Sequence, residues 1–283
     1  MVTIRRATPD DIAEAGRICF EAFSAINTKH GFPPDLDRPG ALRVIAHVFN
    51  DPGFVCWVAE QDGRVIGSNC IDVRSAIIGL GPITVDPAAQ NSGAGRALMQ
   101  AALDYAQEHG AAGVRLVQAA FHNRSLSLYT KLGFVAREPL SVMQGAVLNL
   151  TIDGLKVRTA MADDLGACND VCRRVHGHDR SGDIASEIAD GRATVVERHG
   201  RITGYSTGLA FWSHSVAESN LDLMALIGAA PGFGGAGILV PTRNAELFRW
   251  CLDHGLRVVE PLTLMSLGLY NEPAGAYLPS ILY

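Results

Sequence analysis

Hydrophobic and polar positions along this chain follow two periods, and the switches between them mark its elements. "IRRATPDDIAEAGRIC", from Ile4, reads as a short strand, a turn carrying a capping Asp, and an amphipathic helix. "AEQDGRVIG", Ala59 to Gly67, reads as a strand, a DG turn and a second strand. "LGPITVDP" is an apolar strand. A helix from Ala97 to His109 follows, with Leu98, Ala101, Ala102, Tyr105 and Ala106 on one face and Gly110 stopping it. "VRLVQAAFHNRSLSLYTKLGFVARE" gives a strand to Phe121, a break at His122-Asn123, a helix over Ser125 to Leu132, and a strand from Phe134. Strands alternating with helices predict an α/β chain.

The pattern occurs twice. "VRTAMADDLGACNDVC" from Val157 matches the segment at Ile4, pairing Arg5 with Arg158, Asp10-Asp11 with Asp163-Asp164, and Cys19 with Cys172. "VERHGRITG", Val196 to Gly204, matches Ala59 to Gly67. The offset drops from 153 to 137 between these matches, so the second copy is about 16 residues shorter there. The shortfall is expected to fall on Asn27 to Pro52, read as a loop and extra helix special to the first copy. The join lies near "NLTIDGLKV", which divides the chain into 1–150 and 151–283.

Composition narrows the class. The 283 residues are 48% hydrophobic and 19% charged, with net charge −5, as expected for a globular chain rather than a disordered one. A mildly acidic chain without a Lys/Arg run is a poor binder of nucleic acid or anionic membrane. "MVTIRRATPDDIAEAG" lacks the apolar segment of a signal peptide. The longest apolar run, Leu223 to Pro241, is broken by Pro231 and several glycines. It is read as a buried strand, a turn and another strand rather than a membrane span. The six cysteines form no CxxC pair and read as buried thiols of a cytoplasmic protein.

The segment between the apolar strand and the helix carries candidate chemistry: Gln90-Asn91-Ser92-Gly93-Ala94-Gly95-Arg96. A Walker A loop would need a Lys after the glycines, and a Rossmann turn would need a small residue where Leu98 stands. The form present is [QR]xxGx[GA]. A glycine loop at a helix N-terminus offers unpaired N–H groups and a partial positive charge to an anion. With N-x-x-[SA]-x-x-LY-x-K-x-GF at Asn123, Ser125, Leu128, Tyr129, Lys131, Gly133 and Phe134, the chain over roughly 2–140 resembles the GNAT acetyltransferase superfamily.

That resemblance implies a mixed, mostly antiparallel sheet flanked by helices in each repeat, and acetyl-CoA as cosubstrate. It implies that the loop amides of Gln90, Asn91, Ser92, Gly93, Ala94, Gly95 and Arg96 hold the pyrophosphate. The pantetheine would pair with Ile83, Thr84 and Val85, where a backbone N–H would also serve the oxyanion. Asn123, with Ser125 and Leu128, would touch the pantetheine, and Tyr129 would protonate the departing thiolate. The strand before the loop has no carboxylate, unlike many relatives, so the base stays open between a water relay and a group from elsewhere, Asp72, His122, His30 or Glu21.

The function expected is transfer of an acetyl group to a small-molecule or peptide amine, by a monomer or homodimer. An acyl-CoA-binding sensor or partner-binding protein with little turnover is the alternative. The acceptor is expected between Asn27–Pro52 and the strands near Ser68–Arg74, where Asp35, Asp37 and Asp72 could attract a cationic amine. In the second copy, Asn244 aligns with Asn123 and Trp250 with Tyr129, and "GAAPGFGGAG" lacks the leading Gln or Arg, so that repeat reads as degenerate, a scaffold or lid. "HGHD", at His176, His178 and Asp179, is read as a polar loop, with no metal site assigned.

Overall fold

The computed structural model describes residues 1–282. The first repeat runs β1 (Val2–Arg6), α1 (Ile12–Lys29), α2 (Arg38–Asn50), β2 (Phe54–Gln61), β3 (Arg64–Asp72), β4 (Ile77–Leu80), β5 (Thr84–Val85), α3 (Ala94–Glu108), β6 (Gly113–Ala119), α4 (Asn123–Lys131) and β7 (Val135–Gln144). The second runs β8 (Leu155–Thr159), α5 (Leu165–His176), α6 (Ser181–Ala189), β9 (Thr194–Arg198), β10 (Arg201–Ser206), β11 (Ser215–Ala217), α7 (Asn220–Gly228), β12 (Ile238–Pro241), α8 (Ala245–Asp253), β13 (Arg257–Gly268) and β14 (Ala276–Leu278).

The repeats are laced together. The larger sheet has the order β1-β2-β3-β4-β6-β13-β7-β12, with β5 on β3 off this path; the smaller is β14-β11-β10-β9-β8. Strand β13 of the second repeat therefore lies between β6 and β7 of the first. It pairs antiparallel with both, Leu262 opposite Ala119 on one side and Leu140 on the other. Leu262, Leu264 and Met265 are buried there. The join at residue 150 is thus a boundary between sequence repeats and not between separate sheets.

The repeats share hydrogen bonds in their last third at an offset of 122. Ala120 N donates to Pro261 O while Thr242 N donates to Pro139 O. Phe134 N donates to Tyr129 O while Leu256 N donates to Cys251 O. Tyr129 thus corresponds to Cys251 rather than to Trp250, and Asn123 to Ala245 rather than to Asn244. Asn244 instead caps α8, its Oδ1 accepting from Leu247 N at 3.3 Å. Asn244 holds the cap position that His122 holds in the first repeat, which only the helix starts reveal.

Three further expectations change. Leu221 to Ile227 is not a strand but lies in α7, started by Ser219, whose Oγ accepts from Asp222 N. Leu223 to Ile227 are buried on every side, so the apolar run has no helical period to read. This helix packs on β8 to β11, so the second sheet keeps its cover, and the glycine-rich segment follows the helix instead of preceding it. The second helix of the first repeat has a counterpart as well. The missing residues are spread over a 12-residue α5 against an 18-residue α1, a 9-residue α6 against a 13-residue α2, and a shorter connection. Finally, Cys56 and Cys70, directly opposite on β2 and β3, form a disulfide. A cross-strand pair needs register and not spacing, so the absence of CxxC could not exclude it. Cys19, Cys168, Cys172 and Cys251 are buried free thiols.

Candidate coenzyme and acceptor site

Gly93 begins α3 in the left-handed region, at φ +88°, and Asn91 just before it is also left-handed at φ +72°. An L-residue with a Cβ takes up that backbone at a cost of roughly 1–2 kcal/mol, so Gly93 is required by the turn itself. Ser92 Oγ accepts from Ala94 N at 3.3 Å. The N–H groups of Gly95 and Arg96, in the first turn, have no carbonyl behind them within the helix and face outward with its positive dipole end. Arg124, on α4, clamps the loop from the other side: it donates to Gln90 Oε1 at 2.8 Å and to Asn91 Oδ1 at 2.7 Å. Between the two helices lies a shallow depression lined by Arg96, Asn123, Arg124, Ser127, Leu128 and Lys131. Three cations in one depression on an acidic protein make a local anion site.

The sheet opens beside this loop. Strand β3 pairs with β4 through Ile71–Leu80 and Asp72–Gly79, then with β5 through Gly67–Val85 and Ser68–Thr84. Strand β4 pairs in parallel with β6 only as far as Gly79–Arg115, and β5 pairs with β3 alone. From Leu116 onward β6 has no strand partner on that side among the described residues. Gly67 lets β5 approach closely, since a Cβ there would lie 2.6 Å from the Thr84 carbonyl oxygen. Gln118 Nε2 on β6 and Thr84 Oγ1 on β5 are buried without a hydrogen-bond partner. Orphaned polar atoms at an opening, first-turn amides and a basic depression fit an extended amide chain ending in a pyrophosphate.

The loop, β5 and α4 converge at Gly95, where a Cβ would stand 3.6 Å from Val85 Cγ2 and 3.9 Å from Leu128 Cδ2. Asn123 is the first residue of α4, and Ser125 Oγ donates to Gln118 Oε1 at 3.1 Å. Ile83 packs against the first repeat's core. Tyr129 belongs to that core, with the Phe134 ring 6.1 Å away, and burial pushes its phenol well above the ordinary value. The hydroxyl therefore keeps its proton at neutral pH. Arg124, Lys131 and Gln118 were not assigned to the site from sequence. The position of Arg124 within the Asn-to-Tyr motif was the available signal.

The acidic candidates separate. Asp37 caps α2, accepting from Gly40 N at 2.7 Å. Asp72 is held by Arg74 at 2.5 Å. Glu21 is shared by Arg17 and Arg38. Asp35, half-buried, accepts from Asn27 Nδ2 at 2.8 Å and meets the buried Glu260 of β13. His30 lies 5.3 Å from the Phe121 ring, which stacks on Phe32 at 4.3 Å. Burial holds the neighbouring His122 imidazole below its usual value.

Burial, then the charge of Asp35, pushes the Glu260 carboxyl up to about 9 from an ordinary 4.5, and burial raises Asp35 too. The folded protein thus holds a proton that the unfolded chain releases above pH 4.5, so this carboxyl's contribution to stability is lost as pH rises through that window. Burial depresses His122, His176, His178 and His214, whose linkage raises stability with pH up to about 6.5, so the Glu260 effect shows above that range: the melting temperature is expected to decline from about pH 7 to about pH 9, and Glu260→Gln should flatten the decline. A wild-type melt that rises over this range would contradict the assignment.

Two other features stand apart. Asp179 caps the α5–α6 connection, accepting from Ser181 N at 2.9 Å, Ser181 Oγ at 2.6 Å and Asn169 Nδ2 at 2.6 Å. Among the described residues no group of three or more His, Cys, Asp or Glu is placed to hold a metal, and no helix is long and apolar enough to cross a membrane. A cavity between the repeats, lined among others by Asp72, Arg74, Arg180, Asp183 and His214, shares no residue with the loop or α4.

The Acetyltransferase (GNAT) family model matches residues 20–134. Mycothiol acetyltransferase of Nocardia farcinica is 44% identical over 133 residues, 45% of this chain and 43% of that relative, so the match spans less than half of either protein. The uncharacterized N-acetyltransferase YjgM of Escherichia coli is 30% identical over 138 residues, 46% of this chain and 80% of YjgM. A Pyrococcus horikoshii structure superposes with TM-score 0.72 at 20% identity, covering 97% of this chain and 94% of that one. A tandem GNAT protein from the clavulanic acid biosynthesis pathway gives TM-score 0.54 at 14% identity, covering 99% and 100%. At such identities the structural likeness is one of fold, and it extends over both repeats.

Proposed function

The chain belongs to the GNAT acetyltransferase family, and from that premise we propose that it transfers the acetyl group of acetyl-CoA to the amine of a small molecule or peptide. The observation that carries the reading is the Arg124-clamped glycine loop beside a basic depression and a sheet opening lined by orphaned polar atoms. The relatives named mycothiol acetyltransferases support acetyl transfer as the reaction.

The residues take the following parts. The amides of Gly95 and Arg96, with Arg124 and Lys131 beside them, bind the coenzyme's phosphates. Strand β5 offers its backbone to the pantetheine and one N–H to the carbonyl oxygen as charge develops there. Asn123, Ser125 and Gln118 line the same channel from the other side. Tyr129 gives its proton to the departing sulfur, and its burial suits it to donate rather than to sit ionised. The second repeat completes the first repeat's sheet with β13, the strand that carries Glu260.

Titration calorimetry tests the donor half. Coenzyme A is expected to bind at one site per chain, since the second repeat has no glycine loop ahead of α7. Arg124→Ala should weaken it by about tenfold, because a charge-assisted contact is lost and the loop loosens. Gly93→Val should reduce binding further, through backbone strain and a side chain in the phosphate's path. Two equivalent sites, or unchanged affinity in both variants, would refute this placement.

A further inference from the structure

The two repeats carry the same segment at their exchanged strands, Glu138-Pro139-Leu140 in one and Glu260-Pro261-Leu262 in the other. Both glutamates are buried, at 4% and 1% exposure. Glu138 is neutralised: Arg243 grips it from Nε at 3.0 Å and from Nη2 at 2.6 Å. By the shared hydrogen-bond pattern, Arg243 corresponds to Phe121. Glu260 therefore has a phenylalanine at the chain position that supplies the arginine to its counterpart. It also meets a second carboxyl, Asp35, and its Oε1 is buried without a partner.

The molecule thus supplies its own control. The buried glutamate is matched by an internal cation on the side of the degenerate repeat and left unmatched on the side with the glycine loop. Asn27 ties Asp35 to Phe32, its Nδ2 donating to Asp35 Oδ1 at 2.8 Å and its carbonyl accepting from Phe32 N at 2.9 Å, while Ala120 N donates to Pro261 O at 3.1 Å, so the stacked Phe32 and Phe121 belong to the segments that carry the facing carboxyls; charge and ring faces together suit a cation. Resting on the acetyltransferase reading above, we propose that Asp35 and Glu260, walled by Phe32 and Phe121, form the subsite that receives the acceptor's ammonium group. The arriving ammonium displaces the proton shared by the carboxyl pair, which leaves to solvent. The doubly ionised pair then takes one proton back from the ammonium, leaving the neutral amine that attack requires. Asp35 is the charged group acting on Glu260. His30 lies against Phe121, and His122 follows Phe121 directly in the chain.

Calorimetry on the full chain, with 2-phenylethylammonium as probe and buffers of different ionisation heat, tests this. Wild type should bind the probe and release about one proton at pH 7.5. The uncharged 2-phenylethanol should bind at least about tenfold more weakly, and Glu260→Gln should lose at least about tenfold for the ammonium together with the proton release. Coenzyme A affinity in Glu260→Gln, expected to match wild type, shows that the variant is folded. Phe121→Arg supplies the missing guanidinium and should melt higher while losing the ammonium. No probe binding by wild type, equal binding of the alcohol, or wild-type affinity in either variant would overturn the subsite. Failure of coenzyme A to bind would overturn the donor reading instead, with the ammonium result standing apart.

Discussion

Tyr129→Phe is expected to lower turnover by about 10²–10⁴-fold, the range of general acid catalysis, while leaving coenzyme A affinity nearly unchanged. The ring lies in the first repeat's core against Phe134, and phenylalanine preserves that packing. Only the hydroxyl is removed, and with it the proton for the departing thiolate. Burial keeps that proton in place across neutral pH, so the wild-type rate should show no loss attributable to phenol ionisation below pH 9 or so. The measurement is steady-state thiol release with a good acceptor, paired with calorimetric coenzyme A binding. An unchanged rate would make Tyr129 a core residue only. A parallel loss of binding would place it among the positioning contacts.

Residues 1–150 expressed alone are expected to show no cooperative melt and no coenzyme A binding, and co-expression with 151–283 should restore both. Strand β13 fills the gap between β6 and β7, so its removal leaves two unpaired edges inside a sheet and strands β7 from its neighbours. Leu262, Leu264 and Met265 go with it. At roughly 1.5–3 kcal/mol for each buried side chain, their burial is worth about 5–9 kcal/mol. Stability of a whole domain is only about 5–15 kcal/mol, so the loss is comparable to everything available. Inter-repeat bonds are lost as well, among them Arg243–Glu138 at 2.6 Å, Arg137 to Ser266 at 2.8 Å and Ser141–Thr242 at 2.9 Å. Residues 151–283 alone should fail for the mirror-image reason, as β12 and β13 lose β7 and β6. A soluble 1–150 fragment that melts cooperatively and binds coenzyme A with wild-type affinity would refute the exchanged strand as a structural requirement.

Features encoded by local periodicity and turn chemistry were legible along the chain. The repeat was readable from Arg5/Arg158 and Asp11/Asp164, which make the same capping ion pair in both copies, at 2.7 and 2.6 Å. The glycine loop and its helix were readable because a left-handed Gly93, a helix start and an apolar stripe all lie within a few residues. Tertiary structure decided everything that depends on a distant partner. Leu221 to Ile227 became a helix because neighbours cover all its faces and erase its period. Cys56 met Cys70 because β2 and β3 pair in that register. Most of all, strand β13 crossed into the first repeat, since a strand's hydrogen bonds are satisfied by any edge of the right register and nothing along the strand names which. That crossing set the buried Glu260 against Asp35. Neither residue's sequence neighbours could show it, because the free energy of a buried charge is fixed by what stands opposite in space and not by what lies beside it in the chain.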